Sequence, residues 1–508
     1  HHAAAISIIQ VTPAYPPPAQ RRLIMGFALA AGFMTQLDAT IANVALPHMQ
    51  ASTSASREQI GWVLTSYIIM AAIFTPLSGW LASRFGKKRV LVLSVAGFTI
   101  ASFLCGLATN FGQLVGFRLL QGMLGAALLP LTQATMIDIN PPERHGPAMA
   151  IWGMGAVLGP ILGPVLGGLL TEYLNWRWVF FINVPVGVIA FLGLIAVMEE
   201  TDHGKRARFD MIGFASLAVA VGAFQLMLDR GQLLDWFDST EIWIEALAAG
   251  FSFYLFLVHS LTTRNPFVDP RIFADRNYLF GSIFGFSLGL VAFGVMAISA
   301  LMLANLMNYP IVTVGMVLAP RGLGTMAMML LAGRMVMHVD LRHMLFAGMV
   351  CLSVSNFIMA GSSLQMDSWL IMSSGVIQGV GVGLMFVPIT SVIFATLEPR
   401  YRYEGAALNS LIRNLGGAVG ISILQTLSIR GEAVAHSQLV EHVRPDALAL
   451  AWKMPWLEFA TNRDLTLLEI EVGRQALMMS YVNAFWLLAI ACAALAPLTL
   501  FVKPLRVK

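Results

Sequence analysis

Long apolar runs separated by short polar connections fill most of the chain. A helix needs about twenty apolar residues to cross about 30 Å of hydrocarbon. Fourteen runs reach that length, at 22–47, 60–82, 89–108, 112–138, 148–170, 177–198, 209–229, 241–262, 277–303, 311–334, 343–362, 368–396, 404–429 and 478–502. The pattern therefore predicts an all-α polytopic membrane protein with fourteen transmembrane helices.

The composition excludes an ordinary soluble protein. Hydrophobic residues make up 57% of the chain and charged residues 11%, whereas about 25% of residues are charged in soluble domains. The pI near 9.0 does not indicate nucleic acid, because the basic residues lie in short clusters between apolar runs. Cys105, Cys351 and Cys492 each fall in an apolar run without metal-ligand spacing. We expect free buried thiols, no metal site and no cofactor.

Lysine and arginine are distributed unevenly over the connections. If both termini are cytoplasmic, twenty of the 31 basic residues lie in cytoplasmic segments. The short outer loops then hold only Arg57, Arg177 and Arg230. The positive-inside rule therefore predicts that both termini are cytoplasmic.

An internal repeat predicts how the spans are grouped. The stretch 121–132 resembles 378–390 with a shift of one residue, and 142–146 resembles 399–405. Two six-helix halves built as parallel repeats explain both matches, although weak matches also arise by chance in glycine-rich helices.

We accordingly divide the chain into an N-terminal six-helix bundle at 22–198, an inserted two-helix linker at 209–262 and a C-terminal six-helix bundle at 277–502. Residues 1–21 are expected to form a disordered cytoplasmic lead-in. The segment 430–478 mixes charges with apolar residues and predicts one or two amphipathic helices outside the membrane. These helices would form either a solvated loop or a docking or gating element.

Asp38 is the only acid well inside a predicted span. A charge at the centre of a bilayer costs about 2.5–3.5 kcal/mol on insertion scales, so intramembrane acids face protein or water. At about 1.5 Å per residue, Asp38 lies about 13 Å and Arg118 about 9 Å from the outer ends of their helices. The two residues can therefore meet. We predict that Asp38 and Arg118 couple transport to protons; the alternative is a static buried ion pair.

Polar residues within the spans are candidates for a substrate cavity. They are Gln36, Thr40, Asn43, Gln121, Gln378, Asn409 and Arg413. Arg321 is a further deep charge. The excess of buried arginine over buried acid favours hydrophobic anions or weak acids as substrates. Alternatively, each arginine bonds helix carbonyls at a kink.

Two glycine-rich motifs are candidates for conformational elements. The connection after the second span contains Gly79, Arg84, Gly86, Lys87 and Lys88. The fifth span carries Gly155, Gly159, Pro160, Gly163, Pro164 and Gly167, and glycine at every fourth residue allows close helix approach. The alternatives are a simple basic anchor and a plain packing seam.

These motifs resemble known transporter signatures. The connection at 79–89 resembles the loop signature of the major facilitator superfamily, with Ser83 in place of its acid. Residues 118–127 and 155–168 resemble motifs of drug:proton antiporters, the second of which lies where the two halves meet. The stretches 37–47 and 175–187 are similar to EmrB-type multidrug permeases.

The resemblance implies a major facilitator fold and proton-driven multidrug efflux across a bacterial inner membrane. It also implies uncoupler-like weak acids as substrates. Two partners are implied, an EmrA-like periplasmic adaptor and a TolC-like outer-membrane channel.

The chain lacks the sequence motifs of ATP-driven pumps and zinc metalloproteases. Gly86-Lys87 has no P-loop glycine at the required spacing, and no HExxH sequence occurs. We therefore expect a secondary active transporter and not an enzyme. An exporter of one metabolite or siderophore would share every motif above, whereas a channel would lack proton exchange and a sensor would not need Asp38.

Overall fold

A computed structural model describes residues 15–200, 209–443 and 462–502 of the chain. Every regular element in those ranges is a helix. Thirteen of these helices are long and apolar enough to cross a membrane, and one bent pair adds a fourteenth span. In chain order the spans are α1 (Pro18–Thr53), α2 (Trp62–Phe74 with Leu77–Phe85), α3 (Lys87–Leu107), α4 (Phe111–Asp138), α5 (Pro142–Tyr173), α6 (Trp178–Val197), α7 (Met211–Arg230), α8 (Thr240–Thr262), α9 (Arg276–Leu306), α10 (Val312–Met335), α11 (Leu341–Met359), α12 (Ser368–Ala395), α13 (Pro399–His442) and α14 (Asn462–Phe501).

Polar residues just before the apolar runs set where several helices begin. The Asn110 side chain accepts a hydrogen bond from the backbone N–H of Gln113 at the start of α4. Asp210 and Asp275 cap α7 and α9 in the same way. Each cap satisfies a backbone donor that the first helical turn leaves unpaired.

Two spans depart from straight α-helix. The two parts of α2 are inclined by 53°, and Pro76 lies at the break between Phe74 and Leu77. Proline lacks the N–H that would continue the helical hydrogen bonds. The α9 helix ends in a π-helical turn, Met302–Leu306.

The helices pack as two bundles of six with one pair between them. Helices α1 to α6 contact one another in the first bundle, and α9 to α14 do so in the second. The α7 and α8 helices pack together, and α7 also contacts α2 and α13. The predicted fold class, two six-helix bundles with two inserted helices, is confirmed.

The helix ends differ from the predicted bounds mainly around 430–478. The α13 helix continues without a break to His442, and α14 begins at Asn462. Most of the predicted outer segment is therefore an extension of two spans, because helix-forming residues continue each span past its apolar part. Residues 444–461 lie outside the described part. The α1 helix also begins at Pro18, inside the predicted lead-in, whose residues 1–14 are outside the described part as well.

The backbones of the two bundles come very close at one end of the molecule, which we call the basic end and which holds Gly79 and Gly146. A Cβ added at Gly79 of α2 would lie 2.8 Å from the Cα of Glu404 in α13. A Cβ added at Gly146 of α5 would lie 2.8 Å from the carbonyl oxygen of Gly333 in α10. Backbones this close leave no passage between the bundles at these two contacts.

Candidate functional site

Asp38 lies on α1 with no exposed surface, at the centre of a hydrogen-bonded network. Nη1 of Arg118 donates to Asp38 Oδ2 at 2.6 Å. Nε2 of Gln121 and Nδ2 of Asn183 each donate to Asp38 Oδ1 at 2.9 Å. The network therefore joins α1, α4 and α6. All three donors need an acceptor, which the ionised carboxylate supplies, and the guanidinium balances its charge.

Arg118 is enclosed by α2 and α6 as well. Its Nε donates to the carbonyl oxygen of Val63 at 3.0 Å. The guanidinium carbon lies 4.2 Å from the centre of the Tyr67 ring and 5.5 Å from that of Phe180. Two aromatic faces therefore shield the ion pair and add cation–π attraction.

Asn183 is the part of this network that the candidate set misses. Besides Asp38, it donates to Ser102 Oγ on α3 at 3.0 Å, and Ser102 donates to the carbonyl of Phe180 at 2.9 Å. Asn183 is the only side-chain amide in α6, a span that is otherwise apolar. That isolation is the signal that would have identified it.

A cavity of about 390 Å³, here called cavity 1, lies between the two bundles. Its lining extends along α9 and α10 to Ala304 and Val314, at the ends of these helices remote from the basic end. Apart from Arg321 and Arg413, the described residues that line it carry no charge.

Neither arginine of cavity 1 has an acidic partner within 4.0 Å among the described residues. Nε and Nη1 of Arg321 are buried without a hydrogen-bond partner there. The Arg413 guanidinium lies 5.8 Å from the Trp152 ring centre and 5.5 Å from that of Phe386. Two unneutralised cations thus face one apolar space.

A second cavity, cavity 2, has a volume of about 290 Å³ and lies against α2, α4, α7 and α13. Gln36, Pro160, Phe293 and Asn414 line both cavities, which therefore adjoin at these residues. Tyr67 also lines cavity 2, so its ring separates Arg118 from that space.

The predicted cavity residues of α1 lie at these two spaces. Gln36 lines both cavities, Asn43 lines cavity 1, and Thr40 lines cavity 2. Thr40 also donates to the carbonyl of Gly159 at 3.3 Å, which ties α1 to α5. Together with Arg413, these residues meet at the interface between the bundles.

Three other predicted cavity residues lie elsewhere. Gln121 belongs to the Asp38 network. Gln378 and Asn409 are buried and line neither cavity 1 nor cavity 2. Gln378 Nε2 and Asn409 Oδ1 have no hydrogen-bond partner in the described part of the chain.

The loop motif takes part in a charged cluster at the basic end. Nζ of Lys87 donates to Asp138 Oδ2 at 3.0 Å, and the hydroxyl of Tyr403 donates to the same oxygen. Nη1 of Arg402 lies 3.3 Å from Asp138 Oδ1. The end of α4 in the first bundle is thereby tied to the start of α13 in the second.

The other motif residues of this loop make local contacts. Ser83 is exposed and donates to the carbonyl of Trp80, and Arg84 lies 6.0 Å from the ring centre of the same Trp80. Gly86 has φ 93°, a conformation that favours glycine. Lys88 donates to a backbone carbonyl of α6 at 2.9 Å. The acid of the charged cluster is therefore Asp138 on α4. Ser83, at the acidic position of the loop signature, bonds within its own helix.

The glycine stripe of α5 packs against α1, within the first bundle. A Cβ added at Gly159 would lie 2.6 Å from Leu37 N, and one at Gly167 would lie 2.9 Å from the carbonyl oxygen of Ile41. Gly155 and Gly163 face α1 in the same way. This stripe positions the helix that carries Asp38.

A different face of α5 meets the second bundle. It contacts α10 through Gly146 near the basic end and through Val165, beside Gly315, farther along. Pro160 and Pro164 line cavity 1 between the two faces. The motif at 155–168 was expected where the two halves meet. The α5 helix that carries it contacts both α1 and α10, and the glycines of the motif lie on the α1 side.

Comparison with known proteins identifies a family. Residues 28–421 match the family described as Major Facilitator Superfamily. The chain is 32% identical to the multidrug export protein EmrB of Escherichia coli K12 over 492 residues, which are 95% of each chain. It is also 32% identical to the fatty acid resistance protein FarB of Neisseria gonorrhoeae over 496 residues, covering 96% of this chain and 98% of that one.

Solved structures agree on the fold. A double tryptophan mutant of XylE matches with a TM-score of 0.62 at 13% identity, covering 96% of this chain and 97% of the other. The human organic anion transporter MFSD10 matches with a TM-score of 0.59 at 14% identity, covering 94% and 100%. At these identities the likeness concerns the fold alone.

Proposed function

The chain belongs to the Major Facilitator Superfamily, and on that premise we propose that it is a multidrug efflux permease that exchanges hydrophobic, weakly acidic or anionic compounds for protons. The observation that carries the proposal is the buried Asp38–Arg118 pair, which Tyr67 separates from cavity 2, in a chain whose two cavities adjoin at the interface of the bundles. The whole-length similarity to proteins named for multidrug export supports the broad activity.

Proton exchange requires Asp38 to become accessible. The pair is sealed in this conformation, and Tyr67 of α2 separates it from cavity 2. A shift of α2 against α4 would open that barrier. Protonation of Asp38 would then remove the charge that Arg118 balances, and the guanidinium would keep Gln121 Oε1, at 2.7 Å, as its remaining side-chain acceptor. Loss of the pair would loosen α1 from α4 and α6, which couples the proton to helix movement.

The competing interpretation is a static pair that only ties the three helices together. Asp38→Asn in proteoliposomes separates the two. We expect the variant to insert and fold but to show no substrate-driven pH change, whereas the matched variant Asp238→Asn, at an exposed acid, keeps it. Full proton exchange by Asp38→Asn would contradict the coupling role.

Anionic substrates suit cavity 1. Burying an unpaired charge costs free energy that a bound anion would recover, and guanidinium groups pair well with carboxylates. The relative named for fatty acid resistance supports this substrate class. Transport of a panel of acids, bases and neutral compounds distinguishes broad efflux from an exporter of one metabolite or siderophore.

We place the protein in the bacterial inner membrane with both termini cytoplasmic, which makes the basic end cytoplasmic. The α13 helix, of which 41 residues are regular α-helix, is about 60 Å long at about 1.5 Å per residue. It therefore projects well beyond a hydrocarbon core of about 30 Å. The projecting ends of α13 and α14 are the candidate contact for an EmrA-like adaptor, which would lead to a TolC-like channel. Co-purification of the adaptor with a chain shortened at these ends tests the contact.

A further inference from the structure

Cavity 2 differs from cavity 1 in the sign of its charge. Asp229, near the end of the inserted helix α7, is the only charged residue among the described residues that line it. Gln225, one turn earlier on α7, lines the same space. The cavity also exposes polar groups of α13, such as Ser410 and Gln425. The inserted helix thus contributes directly to a space between the two bundles.

Asp229 forms no ion pair within 4.0 Å in the described ranges, where the hydroxyl of Thr65 on α2 supplies its one side-chain hydrogen bond. The neighbouring Arg230 attracts Asp229 at longer range but pairs with another acid, because its Nε lies 2.8 Å from Glu241 Oε1 and its guanidinium lies 5.3 Å from the ring centre of Trp62. Asp229 therefore lines the cavity with a neutral hydroxyl, and not a cation, as its hydrogen-bond partner. A role in a structural ion pair would not explain this arrangement.

We propose that cavity 2 is a second ligand site, which binds amphipathic organic cations through Asp229. The carboxylate balances the positive charge of the ligand, and the lining of the same cavity includes an aromatic residue, Phe293. Apolar residues of α2 and α13, including Ala72 and Ala418, enclose the body of the ligand. A metal ion is a poor fit, since the described part of the chain places no group of three His, Cys, Asp or Glu side chains to hold one.

The two adjoining cavities then sort ligands by charge. The arginines of cavity 1 attract anions, and Asp229 attracts cations, while Gln36 and Phe293 lie between the two spaces. This site goes beyond the proposed export of acidic compounds. It is measurable by equilibrium binding, so its failure would not be confused with failure of proton coupling.

Tetraphenylphosphonium and tetraphenylborate test the proposal, because the two ions have nearly the same shape and opposite charge. Isothermal titration calorimetry on the purified full chain in detergent measures both. Asp229→Asn should raise the Kd of tetraphenylphosphonium about ten- to a hundred-fold, the range for a lost hydrogen-bonded charge contact, and leave that of tetraphenylborate unchanged. Asp238→Asn, at an exposed acid outside the cavity, should change neither.

A second variant guards against a folding defect. Ala418→Leu fills cavity 2 without altering charge and should also weaken tetraphenylphosphonium binding, with little effect on tetraphenylborate. Unchanged tetraphenylphosphonium binding in Asp229→Asn would overturn the proposal. Equal weakening of both ions would also overturn it, because it would give Asp229 a structural role.

Discussion

The two bundles differ in whether their buried arginines are paired with an acid. In the first bundle, Arg118 is paired with Asp38 and neither side chain has exposed surface. In the second, Arg321 and Arg413 face cavity 1 without an acidic partner among the described residues. The charge of Arg118 is balanced by Asp38, although its Nη2 has no hydrogen-bond partner among the described residues, and the pair can act only if it opens. An unpaired charge gains most when an anion arrives, so the first arrangement suits the driving ion and the second suits the substrate.

The largest expected effect is on stability in the first bundle. Arg118→Met leaves Asp38 buried and unbalanced, which should lower the free energy of unfolding by about 3–5 kcal/mol. The double variant Asp38→Asn, Arg118→Met should recover most of this loss, yet remain unable to exchange protons. Thermal unfolding in detergent measures both. A double variant as unstable as Arg118→Met would mean that the pair does not explain the loss.

Replacing an arginine of the second bundle by methionine should not lower the stability of the protein. Arg321→Met removes a cation that no acid balances, so the unfolding temperature should stay the same or rise. Binding of an anionic substrate should weaken, with Kd raised about ten-fold or more for a lost contact of about 1.5–3 kcal/mol. If Arg321→Met unfolds as readily as Arg118→Met, the contrast between the bundles fails.

Substitutions at two glycines of α5 test whether close packing against α1 positions Asp38. Gly159→Ala places a Cβ 2.6 Å from the backbone of α1, which must then move, at a cost of about 1–3 kcal/mol. Gly168→Ala is the matched control, since the nearest atom is 3.9 Å from its Cβ. Transport and unfolding temperature should fall for the first variant and hold for the second. Equal behaviour of the two would show that close packing on α1 is unimportant.

The smallest expected effect concerns the basic end. Tyr403→Phe removes one donor to Asp138, worth about 1 kcal/mol, and should favour separation of the bundles there. A cysteine at Ala150, a buried residue facing Gly333, reports that separation when the three native cysteines are replaced by alanine. A thiol reagent should label it several-fold faster in Tyr403→Phe. The exposed Tyr173, changed to phenylalanine, provides the unaffected control.

The sequence was sufficient for the features that depend on apolar length and helical rise. The spans follow from apolar runs, and the rise per residue placed Asp38 and Arg118 within reach of each other. Asn183 and Tyr403 joined their clusters only through contacts between distant helices, which no local pattern records. In its described parts, the predicted amphipathic segment 430–478 is helical and continuous with α13 and α14, because a helix that leaves the bilayer becomes amphipathic without ending. The stripe on α5 was recognised, but its partner α1 depends on how the bundle packs.

The central claim is that Asp38 gives up and takes up a proton as substrate binds and leaves. The pH change on addition of an anionic substrate to the purified protein, in weakly buffered solution, tests it most directly. We predict the same pH change for the unaltered protein and for Asp238→Asn, and none for Asp38→Asn that still binds the substrate. An equal pH change with Asp38→Asn would contradict the account.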